Sequence, residues 1–198
     1  MSAKLTITIP EWLDKICVGP LMLYRRLKYG FSFRKIYLGE NEHTIVEPAD
    51  YYWVGKFKWI LLGTGYNLYA VREVRIGPKK TKRMYLHRAI MKPPKRRLVD
   101  HRNTDSLDNR RANLRLATHA QNIYNRRKTS KKTWSRFIGV SFDRNSPAWV
   151  SCIDYKRKRI HLGRFDSEID AARAHDKAAR KYHKEFARLN FPEEAPVS

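Results

Sequence analysis

The chain of 198 residues carries 42 Lys and Arg against 19 Asp and Glu, a formal net charge of +23. A surplus of that size calls for a polyanionic partner, because displacing condensed counterions from a phosphate backbone drives such binding. A content of 42% hydrophobic and 12% aromatic residues excludes a wholly disordered chain, and the length fits one medium domain or two small ones.

Cys17 and Cys152 stand far apart without paired spacing, which argues against a disulfide scaffold and a CxxC zinc knuckle; they read as two free thiols. No apolar run approaches the ~18 residues of a membrane span. Residues 1–10 lack the basic head, apolar middle and cleavage site of a secretory signal. A soluble intracellular protein is expected.

In chain order, residues 1–42 read as a partly helical N-terminal extension. Leu5-Thr6-Ile7-Thr8-Ile9 alternates, and a helix is predicted from Pro10 to about Leu27, with Trp12, Leu13, Ile16 and Leu23 on one apolar face. Its basic end, with Arg25, Arg26, Lys28, Arg34 and Lys35, suits a DNA-contacting appendage or simply a solvated face. Residues 43–98 read as short strands at Trp59–Leu62, Leu68–Val71 and Met84–Leu86, ending in His87-Arg88-Ala89-Ile90-Met91 and a turn at Pro93-Pro94.

The polar cluster at 99–127 is the richest in chemistry. Leu98-Val99 ends a strand that presents Asp100 and His101, a polar loop follows, and Leu114-Arg115-Leu116-Ala117 makes a second strand. Thr118 with Gln121 three residues on is a capping box, so a helix starts there and carries Asn122 in its first turn. Phosphodiester hydrolysis needs a base, a cation and stabilisation of the departing oxygen. An imidazole titrates near neutrality, which suits His101 to the base. Asp100 and Asn122 offer hard oxygen donors for Mg2+ or Mn2+, and Asn113 is placed to bond the loop backbone and hold His101. Asn125 and His119 are rival ligands, His119 being close to the helix start and expected to be exposed.

The run Val99-Asp100-His101-Arg102-Asn103-Thr104 through Asn113-Leu114-Arg115, with Gln121-Asn122 behind it, resembles the HNH homing-endonuclease family of phages and bacteria. The resemblance implies a ββα-metal unit, one divalent metal ion (Mg2+ or Mn2+), Asp100 and Asn122 as metal ligands, and His101 as general base with Asn113 bracing the loop. It also implies a cytoplasmic setting in a bacterium or phage-infected cell. His87 matches a His-Arg that precedes the motif in many members, in a structural role. Thr104 departs from the pattern, standing where Gly is common; a positive φ there would strain a threonine and alter the loop or lower activity.

Residues 128–135 read as a basic linker, and residues 126–136 hold six Lys or Arg and no acid. Beyond it, 137–142, 148–153 and 159–165 predict three antiparallel strands, followed by a helix that Ser167 caps and on which Ala171, Ala174, Ala178 and Tyr182 share a face. Small alanines let the helix lie close to the sheet, with Trp149 and Ile153 filling the core. Ile-Gly-Val, Leu-Gly-Arg-Phe, Ala-Ala-Arg-Ala-His-Asp-Lys-Ala-Ala and Ala-Arg-Leu-Asn-Phe-Pro together resemble the apetala/ethylene-response-factor DNA-binding domain. That resemblance implies a sheet entering the major groove, with Arg159 and His161 facing DNA and Arg164 just beyond. Ile138, Ser141, Cys152 and Asp154 replace several base-reading arginines, so the binding mode carries over and the target sequence does not.

The expected fold class is α+β: an HNH unit with upstream strands at 43–127, the linker at 128–135, and a three-stranded sheet on one helix at 136–192, with 193–198 a tail. The expected function is metal-dependent endonuclease action on double-stranded DNA. No membrane association or small-molecule cofactor is expected. Arg136, Lys131, Lys132, Arg159, His161 and Arg164 are the candidate DNA contacts. The alternatives are a non-catalytic DNA-binding regulator or accessory protein of a mobile element, and an RNA-binding protein.

Overall fold

The computed structural model describes residues 11–65, 67–128 and 134–193. Two compact units are found, Met1–Lys92 with Asp105–Arg115, and Pro93–Thr104 with Leu116–Ser198. The alternating stretch expected at 5–9 and the side chains of Trp12, Leu13 and Cys17 lie outside what is described.

The first unit opens on helix α1 (Glu11–Tyr29), two residues longer than expected at its end. It stops at Gly30, whose φ of +79° lets its N–H reach back to Arg26 O at 2.9 Å. Strands β1 (Arg34–Tyr37) and β2 (His43–Val46) pair antiparallel, from Arg34 opposite Val46 to Tyr37 opposite His43. Strand pairing therefore crosses residue 42, where the sequence reading ended the N-terminal extension.

Helix α2 (Pro48–Gly55) occupies a stretch read from sequence as strands and loops. Pro48 at its start and Asp50 in its first turn are the local cause, since a fixed φ and a negative charge both suit a helix N-terminus. Strands β3 (Ile60–Leu62), β4 (Tyr69–Gly77) and β5 (Lys80–Tyr85) form an antiparallel sheet in that order, leading into the short helix α3 (Leu86–Met91). Val46, Val54, Trp59, Val71, Leu86 and Ile90 are buried. Arg34 ties the helices to the first hairpin: it bonds both carboxylate oxygens of Asp14, at 2.8 and 3.3 Å, and lies 3.7 Å over the Tyr51 ring.

In chain order, strand β6 (Leu98–His101), strand β7 (Leu114–Ala117) and helix α4 (His119–Tyr124) come next, β6 and β7 forming a two-stranded sheet. The expected capping box is present, with Gln121 N–H on Thr118 Oγ1 at 3.2 Å and Thr118 N–H on Gln121 Oε1 at 2.8 Å. Asp100 and His101 are themselves strand residues rather than the start of the loop.

The remainder of the second unit is an antiparallel sheet of β8 (Val140–Asp143), β9 (Ala148–Tyr155) and β10 (Lys158–Phe165), with β9 central, covered by α5 (Glu168–His183). Ser167 caps α5 by accepting from Asp170 N–H. Two alanine pairs about two turns apart make the close approach: Ala171 and Ala172 pack with Phe137, Val140, Trp149, Phe165 and Phe191, while Ala178 and Ala179 pack with Ile153, Ile160, Leu162 and Tyr182. Ala174 is only half-buried. Gly139, at φ +75°, has no substitute, because a Cβ there would lie 2.0 Å from the His175 ring.

Two devices close this unit. Asp176, 2% exposed, accepts from Asn190 N–H at 2.9 Å, Asn190 Nδ2 at 3.0 Å and Phe191 N–H at 2.8 Å, which pins the chain after α5. Tyr124 of α4 stacks on His183 of α5, ring centroids 3.8 Å apart and 4° from parallel. Burial raises the Asp176 carboxyl, but His175 and the backbone N–H groups outweigh it and hold it below the usual range. Burial pushes His183 down, against the opposing hydrogen bond to Asp154 O.

Both folded-state values are depressed, so each group stabilises the fold above its unfolded value and loses that contribution as pH falls. The window for His183 opens below about pH 6.5 and that for Asp176 below about pH 3.9. Asp176→Ala is expected to cost about 2–4 kcal/mol at pH 7 by removing a buried carboxylate that three half-buried donors share. His183→Phe, which keeps the ring stack, is expected to flatten the decline between pH 7 and pH 5. Urea unfolding midpoints of the full chain across pH check both; midpoints parallel to those of the unmodified protein would contradict the assignment.

Candidate functional site

Asp100 and His101 at the end of β6 are each 7% exposed. What holds them is Asn125, the residue just after α4, itself 4% exposed. Its Nδ2 lies 3.1 Å from each Asp100 carboxylate oxygen and 2.8 Å from His101 O. Arg102 O lies at 3.5 Å, and an amide has two hydrogens, so these four oxygens share them. Asn122 sits half-buried one turn earlier on α4, its backbone N–H on Thr118 O at 3.0 Å. His119 is exposed. The helix spacing thus brings Asn125 onto Asp100, and Asn122 occupies the neighbouring position on the same short helix.

The turn after His101 closes with Thr104 N–H on His101 O at 2.9 Å. Thr104 has φ +62°, the left-handed region in which a β-branched residue is strained by about 1–3 kcal/mol. Its hydroxyl accepts from Arg127 Nε at 2.6 Å and from Arg188 Nη1 at 3.3 Å. Burial and the charge of Arg127 both lower the Arg188 pKa. Arg102 in the same turn approaches Glu185 at 4.0 Å, in an exposed pair.

Of the loop between β6 and β7, residues 105–113 belong to the first unit. Asn113, 6% exposed, donates from Nδ2 to Asp108 O at 2.8 Å, so its side chain braces loop backbone. The loop is stitched to β2: Ile45 N–H bonds Leu107 O at 3.0 Å, Asn109 N–H bonds Ile45 O at 2.8 Å, and Thr44 Oγ1 joins Leu107 O at 2.6 Å and Asn109 Nδ2 at 2.8 Å. Arg111 grips buried Asp50 of α2 with two bonds of 2.7 Å. These partners, Thr44 and Asp50, went unnoticed in the sequence; Asp50 shows only as a helix-start acid and Thr44 as a strand residue. His87 of α3 is 9% exposed and packs against both Tyr69 and Tyr85, each ring centroid 5.6 Å away.

On the C-terminal sheet, residues opposite one another share a face. Arg159 faces Asp154 and His161 faces Cys152; the irregularity between His161 and Gly163 then brings Arg164 opposite Val150. Asp154, Cys152 and Val150 alternate along β9, so the bulge keeps Arg159, His161 and Arg164 on one side, away from α5. Two acids share that side. Arg159 bonds both oxygens of Asp154, at 2.9 and 3.0 Å, and Arg164 is paired with Asp143. The Arg159 hydrogen bond and charge pull Asp154 below the usual carboxylate range. Arg136 is exposed and lies 5.0 Å over the Phe137 ring. Lys131 and Lys132 lie outside the described residues.

Residues 135–185 match the family model of the AP2 domain, and residues 93–124 match that of the HNH endonuclease. Each match covers a minority of the chain. An AP2-like ethylene-responsive transcription factor, TOE2, from Arabidopsis thaliana is 36% identical over 72 residues, 36% of this chain and 15% of that protein. Ethylene-responsive transcription factor 3 from Nicotiana tabacum is 40% identical over 62 residues, 31% of this chain and 23% of its own length. APETALA2-like protein 2 from Oryza sativa subsp. indica is 42% identical over 57 residues, 29% of this chain and 13% of its own. The chain thus spans less than a quarter of the length of each of these relatives. No solved structure matches.

The AP2-matched segment contains the β8-β9-β10 sheet and α5, and the HNH-matched segment contains β6 and α4. Among the described residues no three His, Cys, Asp or Glu side chains converge as a metal cluster, and no helix is long and apolar enough to cross a membrane. Asp100 offers the hard carboxylate oxygen that Mg2+ and Mn2+ take, and both its oxygens accept from the Asn125 amide nitrogen. Such an oxygen donor does not by itself fit zinc, which takes nitrogen and sulfur ligands.

Asn125→Ala is expected to destabilise the protein by about 2–3 kcal/mol, because a buried carboxylate and a carbonyl lose their shared donor. Asn125→Asp is expected to cost more, two carboxylates then sharing one buried site. Urea unfolding at neutral pH compares the two; equal stability of Asn125→Ala and the unmodified chain would refute the role.

Proposed function

We propose that this protein is a metal-dependent DNA endonuclease of the HNH type whose AP2-matched sheet holds the duplex. The observation that carries the reading is the buried Asp100-His101 pair in the HNH-matched segment, braced by an amide from the following helix. A second reading, a DNA-binding regulator without catalysis, is favoured by the relatives' being transcription factors and by the strained Thr104 in the turn after His101.

In the first reading, His101 takes a proton from a water that attacks phosphorus, while the bond from phosphorus to the departing deoxyribose oxygen breaks. Asp100 and Asn122 would hold a divalent cation, Mg2+ or Mn2+, through oxygen. When bound, that cation neutralises phosphate charge and stabilises the departing oxygen. Asn125 would keep the Asp100 carboxylate and the His101 backbone from shifting, and Asn113 would keep the intervening loop in shape. The sheet face of Arg159, His161 and Arg164 would lie on the major groove, which admits strands.

His101→Ala and Asn122→Ala are each expected to reduce Mg2+-dependent nicking of supercoiled plasmid by at least about 100-fold, while duplex binding in chelator is retained. Full nicking by both variants would refute the catalytic assignment; an inactive unmodified protein that still binds duplex would favour the regulator. For the sheet, Arg159→Ala with His161→Ala is expected to weaken duplex binding and flatten its salt dependence. Asp154→Asn, which releases Arg159 and removes one negative charge, is expected to tighten it. Affinities from fluorescence anisotropy across a salt series test both signs.

A further inference from the structure

The first unit holds a cleft of about 310 Å3, at the small end of the range in which small ligands are bound. Its walls come from β1 with the turn after it, and from the end of α2 with the segment leading to β3. All of its residues fall within 35–59, outside both matched segments. Four aromatic rings line it, those of Tyr37, Tyr51, Phe57 and Trp59. Lys35 and Lys58 line it as well, and no acid does.

The rings are held in place by contacts of their own. Trp59 is 2% exposed and donates its indole N–H to Val54 O at 3.0 Å, which uses its one polar atom. The same carbonyl takes Phe57 N–H at 3.2 Å and so ties down the segment that joins the two rings. A guanidinium lies on each of two rings: Arg34, bonded to Asp14, at 3.7 Å over Tyr51, and Arg72 at 3.7 Å over Phe57. Cation and ring attract, so each pair steadies a ring and adds positive charge beside the cleft. Yet Tyr37 is 66% exposed and Phe57 40%. Open aromatic surface beside a buried aromatic wall marks a binding groove rather than a closed core.

Aromatic faces with ammonium groups and no carboxylate suit a flat heteroaromatic base that carries a phosphate. Every nucleobase has a π-face to lay on a ring, and a strand of them is held by stacking together with basic charge. Inside a duplex that face is covered by the neighbouring bases, so the base that enters a cleft is one out of the stack. The net charge of +23 favours a polyanionic strand over a free nucleotide. We propose that this cleft binds an unpaired nucleotide of a DNA strand, with the base against Tyr37 and the phosphate on Lys35 and Lys58. The proposal rests on the reading above for the polyanion being DNA and goes beyond it in giving the first unit a site for single strands.

The test is fluorescence anisotropy of the full chain in chelator, with a labelled single strand of about 15 nucleotides and, in parallel, its fully paired duplex. Tyr37→Ala, at an exposed position, is expected to weaken single-strand binding by about 10-fold, the effect of one stacked base, and to leave duplex binding unchanged. Tyr37→Phe keeps the ring and is expected to keep the affinity. Lys35→Gln with Lys58→Gln is expected to lower the slope of log affinity against log salt by about 0.7 on the single strand, the value for one phosphate contact. Urea midpoints establish that each variant is folded. Unchanged single-strand affinity in folded Tyr37→Ala overturns the proposal, and so does an equal loss on strand and duplex. Thymidine monophosphate that displaces the strand at equal concentration overturns the assignment to a strand. Chelator removes cleavage from the measurement, so absence of plasmid nicking by the unmodified protein counts against the nuclease reading and leaves this result standing.

Discussion

The Asn125 side chain is a small amide that three oxygens of a different element depend on. Both Asp100 carboxylate oxygens and the His101 carbonyl turn to its Nδ2. Asp100 and His101 are buried, and a buried carboxylate without donors costs several kcal/mol. The amide is thus one of the contacts that keep these two groups at the end of β6. Asn125 can reach them because α4 is so short. Thr118 and Gln121 start it with a capping box, and it ends at Tyr124, which places Asn125 just past the last turn.

That same last turn connects the candidate site to the C-terminal module. Tyr124, one residue before Asn125, stacks on His183, and its hydroxyl accepts from Lys156 N–H at 3.4 Å. Tyr155 and Tyr182 extend the aromatic cluster. Rings of this size bury large areas with few rotatable bonds, so the join is stiff for its size. The grouping of β6, α4 and the β8-β9-β10 sheet into one compact unit follows from contacts of this kind. The AP2-matched module, proposed to hold a duplex, and the helix that braces the candidate chemistry then share a frame.

Much of this was legible in the sequence wherever a local rule decides. The capping box at Thr118 and Gln121, the three C-terminal strands, the Ser167 cap and the alanine face of α5 all rest on short-range chemistry. Thr104 came by another route: the family resemblance put it in a glycine's place, and its φ is positive. What the sequence hid depends on pairing across distance. Nothing local reveals that Thr44 and Asp50 anchor a loop more than 55 residues later in the chain. Nor does spacing alone choose between Asn122 and Asn125, which lie on one short helix; the choice of partner for Asp100 is made by how α4 packs on β6. Helix α2 was missed because eight residues rich in aromatics carry too little periodicity to stand out.

The sheet face shows how charge is spent. An overall charge of +23 would hold any duplex, yet the face expected to meet DNA carries Asp154 and Asp143, each on an arginine. Exposed pairs of this kind are worth only about 0–1 kcal/mol, so they do not prevent an arginine from turning to a phosphate or a base. They do lower the attraction that is blind to sequence, because every approach must leave two carboxylates near the backbone. A pair worth so little is broken readily where a guanine edge offers two acceptors in their place, and less readily where only a mismatched edge is on offer. On the proposed DNA-facing side, the acids would therefore act against indiscriminate binding at little cost to a chosen site.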